Sequence, residues 1–136
     1  VHDQDTVHDQ DTVHLVMPAS PEFVRLARVT ASGLASRLGF SIDELDDLRL
    51  AVDELCHTLV GLCTKPGVIS LRYTTHQAAL EVTGTGHFDP GGPPAVLGEL
   101  SHQILTALVD SHEVGANADG LPSVWLRKRA AARGGC

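Results

Sequence analysis

Apolar positions recur along this chain with two periods, one helical and one extended. Phe23, Leu26, Ala27, Thr30, Leu34 and Leu38 fall three or four residues apart, which is the spacing of one face of an amphipathic helix. Ser20-Pro21-Glu22 precedes them. Serine caps, proline suits the first turn, and glutamate favours the positive end of the helix dipole. Gly39 marks the end. Ser41–Glu44 then spells a capping box, S-x-x-E, and Leu45, Leu48, Val52, Leu55, Leu59 and Leu62 form the buried stripe of a second helix. Lys65-Pro66-Gly67 is a turn. Val68–Thr74 and Ala78–Thr83 read as strands joined at Thr75–Gln77, a β-hairpin. Gly84–Pro94 is rich in glycine and proline and is expected to be a loop without regular structure. Leu97–Val109 reads as a third helix with Leu97, Leu100, Ile104, Leu105 and Leu108 apolar. His14–Met17, His112–Gly115 and Val124–Arg129 are short strands, the last two separated by a turn near Asn117–Pro122. The order β, α, α, β, β, α, β, β predicts a two-layer α+β sandwich, a mostly antiparallel sheet with helices on one face.

The 136 residues suit one domain with one core, and five aromatic side chains make that core mostly aliphatic. No apolar run approaches the roughly 20 residues of a membrane span, and the N-terminus is acidic and polar rather than a signal peptide. A cytoplasmic protein is expected, with no membrane partner. VHDQDT occurs at 1–6 and again at 7–12. This low-complexity stretch has almost nothing to bury, so residues 1–13 are expected to be a disordered acidic tail, 14–130 the folded domain and 131–136 a flexible tail. His2, His8 and the aspartates of the repeat could bind a metal weakly, but no function is assigned to them.

The formal net charge of −7 is unevenly spread. The first 13 residues carry four aspartates and no base, and the rest holds 13 acids against 10 bases. The basic cluster Arg127, Lys128, Arg129 and Arg133 reads as a solvated strand end and tail. Direct nucleic-acid binding, which needs a clustered basic face, is not expected. Cys56 and Cys63 lie seven apart on the second helix, too far to bond while it is intact. They are expected to be buried, inert thiols, whereas Cys136 ends the tail and could form an adventitious intermolecular disulfide.

Asp47–Val60, DLRLAVDELCHTLV, resembles the first nucleotide motif, E-x-x-x-N, of the RsbW/SpoIIAB-type anti-sigma factors, small serine kinases of the GHKL ATPase superfamily. The resemblance runs from about His14 to Arg129. It includes MPASPEFVRLARVTASGLASRLGFSIDELDDLRLAVDELC, ILTALVD and VWLRKR, phrases similar to actinobacterial anti-sigma factors. It implies the GHKL (Bergerat) fold, whose element order matches the one above. In that motif Glu is the base and Asn holds Mg²⁺; here Glu54 is present and Thr58 replaces the Asn. The second motif, D-x-G-x-G, places an Asp on the adenine amino group. The matching residues are Gly84, Gly86 and Phe88, so the Asp and one glycine are replaced. Losing such a charge-assisted bond costs about 1.5–3 kcal/mol. The third motif, a G-x-G whose amides approach the phosphates, falls on Glu99 and Ser101. Glu99 sets a negative charge where a triphosphate would sit. The lid, about Gly91–Val96, has two prolines and no basic residue, and the fourth motif keeps Gly120 but continues Leu121-Pro122.

Four departures in one site imply a vestigial pocket at Glu54, Thr58, Gly84, Gly86, Glu99, Ser101 and Gly120, with no catalytic residue, bound ATP or metal expected. The resemblance also implies partners. Arg28, in LARVT, aligns with a family arginine that contacts both the sigma factor and the anti-anti-sigma protein, and Arg25 is its neighbour. A solvated helix-face arginine is the plainer reading of either. Three functions follow. The first is an anti-sigma factor that sequesters an alternative sigma factor and is released by an anti-anti-sigma competitor, as a homodimer and without phosphorylation. The second is a Mg-ATP-dependent serine/threonine kinase using Glu54 as base and Thr58 as metal ligand. The third is a redox-sensing variant acting through Cys56 or Cys63.

Overall fold

A computed structural model describes residues 10–88 and 92–131. Five strands form one sheet: β1 Gln10–Pro18, β2 Val68–His76, β3 Ala79–His87, β4 Ser111–Ala116 and β5 Pro122–Arg129. The helices are α1 Val24–Arg37, α2 Ile42–Val60 and α3 Glu99–Leu108. The strand order is β1-β2-β3-β5-β4 with every neighbour antiparallel. This is the α+β sandwich of GHKL type that the element order and the resemblance anticipate.

Side-chain alternation decides which face of the sheet is covered. Leu71, Tyr73, Val82, Val124 and Leu126 are buried in one core with Ala27, Ala31, Leu48, Val52, Leu55 and Leu59 of the helices. The opposite face carries His14, Arg72, Thr83, Trp125 and Glu113 in one row across the five strands. Tyr73 crosses the core to donate its hydroxyl to the Ala27 carbonyl at 2.9 Å, which ties α1 to the sheet. Burial above all, and then the neighbouring Cys56, pushes its ionisation upward.

The helix boundaries follow the expected chemistry. Ser41 accepts from the Glu44 amide, and Glu44 Oε1 accepts from the Ser41 amide at 2.7 Å, so the capping box is complete. Gly39, at φ 89°, ends α1. The Phe40 amide reaches Ala35 O and the Gly39 amide reaches Ser36 O, the paired bonds of a Schellman stop, where the left-handed residue favours glycine.

Several expectations need correction. β1 starts at Gln10, inside the stretch read as tail, because Gln10–Val13 pair with His76–Tyr73 and the Asp11 amide bonds Thr75 Oγ1. The edge of β2 supplies partners that composition alone does not reveal. Residues 1–9 and 132–136 lie outside the described residues. Pro21–Phe23 is a 3-10 turn rather than the first α-helical turn, and the Ser20 hydroxyl bonds Glu22 instead of capping the backbone. The buried stripe of α1 is Val24, Ala27, Ala31 and Ala35. Leu26 points outward with 45% of its surface exposed, because three alanines let α1 lie close beneath its neighbours. In α3, Leu105 is buried and Leu100 is exposed. The hairpin turn is tighter than expected, with His76 opposite Ala79. Lys128 is not a solvated strand end. It is 9% exposed and donates to the Leu108 carbonyl at 2.7 Å, placing a cation at the negative end of α3.

The largest correction concerns Gly84–Phe88. Instead of a loop, residues 84–87 continue β3 opposite Val68–Leu71. Gly84 and Gly86 lie on the buried face of that strand, so the strand runs on beneath the end of α2.

Candidate functional site

α2 crosses β3 where the first two motifs would meet. A Cβ on Gly84 would stand 3.0 Å from Val124 Cγ2, 3.1 Å from Leu71 Cδ2 and 3.2 Å from Leu59 Cδ1. Leu59 follows Thr58 directly, so helix and strand are in apolar contact at this point. A side chain entering there would have to displace these three side-chain tips. Two residues on, a Cβ on Gly86 would lie 2.5 Å from Phe88 Cε2, and one on Gly67 would lie 2.9 Å from Phe88 Cδ1. The Phe88 ring thus folds back over both glycines. The tight packing explains Gly84, Gly86 and Gly67 without reference to a ligand.

Thr58 spends its hydroxyl on the helix. Its Oγ1 donates to the Glu54 carbonyl at 2.8 Å, an i−4 back-bond common for threonine. His57 Nδ1 lies 2.9 Å from Asp53 O in the same way. Glu54 is half-buried and stands one turn before Thr58. Gly120 sits at φ 79° in the β4–β5 turn, where the Asn117 side chain accepts from the Asp119 and Leu121 amides. The turn by itself requires a glycine there.

The cavity that remains is about 430 Å³. It opens at the C-terminal end of α2 and is lined by Leu62, Cys63, Lys65, Phe88, Pro93 and Pro122 among others. Glu54, Thr58, Gly84 and Gly86 do not line it. Glu99 lines a separate cleft of about 610 Å³ with Gly98, His102 and His112, and Ser101 lies half-buried in the first turn of α3. In that cleft burial, and secondarily His102, lowers the His112 pKa. The seven motif positions are therefore divided among the α2–β3 junction, the cleft beside α3 and the β4–β5 turn. Within the stretch read as the lid, the Ala95 amide donates to Gly115 O of β4 at 2.9 Å, and Gly91 lies outside the described residues.

The α1–α2 seam carries the candidate arginines. Arg28 Nη1 lies 3.2 Å from Asp53 Oδ2 of α2, the two side chains 36% and 22% exposed. The other oxygen, Asp53 Oδ1, is buried without a hydrogen-bond partner. Arg49 Nε donates to Ser32 Oγ, which donates to Arg28 O. Arg25 is exposed beside Leu26 and Val29, and Leu50 is exposed on α2. Sequence periodicity missed this apolar patch because it assigned Leu26 to the core. The mixture of inward alanines with outward Leu and Val was the available signal.

The two cysteines differ: Cys56 is on α2, whereas Cys63 lies past the helix end at Val60 and is not buried as expected. Cys56 is buried, and burial, then the Asp53 charge, pushes its thiol up to about 12. Cys63 is half-buried, lines the 430 Å³ cavity, and donates its Sγ to Lys65 O at 2.6 Å. Only a thiolate is strongly nucleophilic. In the folded chain a maleimide should modify Cys63 while leaving Cys56 untouched until denaturant is added, as read by peptide mapping. Modification of Cys56 at a similar rate would contradict its burial.

No protein-family model matches the chain. Individual proteins do. A serine-protein kinase RsbW of Bacillus pumilus is 35% identical over 124 residues, 75% of this chain and 76% of that protein. The RsbW of Bacillus subtilis is 42% identical over 69 residues, 48% of this chain and 43% of its own length. The RsbW of Halalkalibacterium halodurans is 34% identical over 86 residues, 62% and 49% of the two chains. The chain thus spans less than half the length of the Bacillus subtilis relative. With the five-stranded antiparallel sheet and a 35% identical relative matched over most of both lengths, the chain belongs to the RsbW family.

Proposed function

We propose that this chain is an anti-sigma factor that acts by occupancy. It sequesters an alternative sigma factor in the cytoplasm, is displaced by an anti-anti-sigma partner, and neither binds ATP nor phosphorylates. The folded domain, which begins with β1 at Gln10 rather than at residue 14, is the binding domain, and the chain works as a homodimer. The observation that carries the loss of nucleotide is the α2–β3 junction. There Thr58 is bonded to its own helix, and Gly84 is enclosed by Leu59, Leu71 and Val124. Support for the binding role comes from family membership and from the patch of Arg25, Leu26, Val29 and Leu50 beside the Arg28–Asp53 pair. Arginine is enriched among the few residues that carry most of the energy in protein interfaces.

The experiment has two arms. Calorimetry with Mg-ATP should show no binding tighter than about 100 μM, equivalent to roughly −5.5 kcal/mol. In the second arm Arg25→Glu should weaken a pull-down of the sigma factor by about 2 kcal/mol or more at unchanged thermal midpoint, while Glu54→Ala leaves it intact. Repression lost in a folded Glu54→Ala variant would sink the proposal.

The second reading is the kinase, with Glu54 as base, Thr58 as Mg²⁺ ligand and ATP as cofactor. It is favoured by the relatives' name, serine-protein kinase RsbW. It requires Thr58 to release the Glu54 carbonyl and turn toward the metal. Transfer of labelled phosphate to an anti-anti-sigma protein, abolished in Glu54→Ala, would establish it. Redox control through Cys63 is a third reading, removed if Cys63→Ala holds the sigma factor equally well under oxidant.

A further inference from the structure

α3 and β4 bring two imidazoles together outside the junction described above. His102 Nδ1 and His112 Nε2 lie 3.2 Å apart, with ring centroids 5.0 Å apart and planes at 61°. Both line the 610 Å³ cleft with Glu99, which stands one helical turn before His102 and so on the same face of α3. Glu113 borders the cleft too. However, it pairs with Trp125 while His112 pairs with the buried Leu126, so its side chain leaves by the opposite face.

The two nitrogens are within hydrogen-bond distance of one another, and the centroid distance tells how the rings are turned. If the rings pointed straight at one another, a nitrogen gap of this size would set the centroids about 5.5 Å apart. The shorter 5.0 Å means that the rings are bent toward a common point. Zinc binds imidazole nitrogen at about 2.0–2.1 Å in tetrahedral geometry. An ion on both ring axes would hold the nitrogens about 3.3 Å and the centroids about 5.2 Å apart, near the observed 3.2 and 5.0 Å.

We propose that His102 and His112 chelate a divalent transition metal, zinc foremost, with Glu99 as the third ligand and water completing the tetrahedron. Among the described residues no group of three His, Cys, Asp or Glu already stands in a metal-binding array. Glu99 is exposed, and the proposal requires its side chain to turn toward the pair. Imidazole with carboxylate suits zinc, whereas Mg²⁺ requires oxygen ligands. The bound ion would pin the first turns of α3, where the lid ends, to the edge strand β4.

Zinc titration of the untagged full chain tests this, with cobalt(II) absorption as a geometric readout. One equivalent should bind at a Kd of about 10 μM or tighter. His102→Ala or His112→Ala should each weaken it at least about tenfold, and Glu99→Gln by a smaller factor. A variant with His2, His8 and His14 all replaced by Ala, which removes the competing terminal histidines, should bind like the parent. Zinc should raise the thermal midpoint of the parent and not that of His112→Ala, while all variants melt together without metal. Uptake left unchanged by His102→Ala or His112→Ala, uptake lost with the terminal histidines, or no uptake below about 100 μM overturns the proposal.

Discussion

Gly84→Asp is expected to unfold the domain rather than rebuild an adenine anchor. By resemblance this single change restores the family's acidic residue. By packing, it pushes a carboxylate between Leu59, Leu71 and Val124, whose methyl carbons lie 3.0–3.2 Å from where the Cβ must go. Two costs add. Overpacking of this kind costs about 1–3 kcal/mol, and an unpaired buried carboxylate costs several more unless it takes up a proton. A total of about 4 kcal/mol or more is a large share of the roughly 5–15 kcal/mol that holds a domain folded. Thermal denaturation followed by circular dichroism should show a midpoint lowered by roughly 10–20 °C. Gly84→Ala, which adds a methyl group against movable side-chain tips, should lose less. A Gly84→Asp protein with the parental midpoint and new Mg-ATP affinity would mean that the pocket persists and lacks one residue.

Arg28→Glu should damage both folding and partner binding, which makes it a poor probe of binding alone. The guanidinium lies 3.2 Å from Asp53 Oδ2, while Asp53 Oδ1 is buried with no partner. Reversing the charge leaves two carboxylates facing each other across the α1–α2 seam. A fully exposed pair contributes about 0–1 kcal/mol, whereas stranding a buried charge costs about 3–5 kcal/mol. With side chains 36% and 22% exposed, a loss of about 2–3 kcal/mol is expected between those limits. Arg28→Glu combined with Asp53→Arg should recover stability. If that double variant melts like the parent yet fails to hold the sigma factor, Arg28 itself is a contact. If it recovers both, Arg28 serves the seam and Arg25 is the arginine to pursue.

The elements with strong local chemistry were legible in the sequence. Ser41 and Glu44 capped α2 as their spacing requires, Gly39 stopped α1, and Leu48, Leu55 and Leu59 of α2 faced the core. Features that depend on a distant partner were not. Gln10–Val13 became strand only because β2 offers an edge, and Gly84 and Gly86 became strand because α2 lies over them. Lys128 looked solvated until the end of α3 was placed above it. Among the candidate site residues, substitution at the motifs could be read directly. The destination of each side chain could not. Nothing local to Thr58 tells whether its hydroxyl faces a metal or its own helix, and nothing local to Phe88 says that it folds over Gly86 and Gly67.

The alanine seam of α1 has one more consequence. Because Ala27, Ala31 and Ala35 meet their neighbours with no side chain to spare, selection for a stable scaffold acts on that flank of the helix and barely on the other. On the binding role proposed above, Arg25, Leu26 and Val29 could change with little cost to that interior.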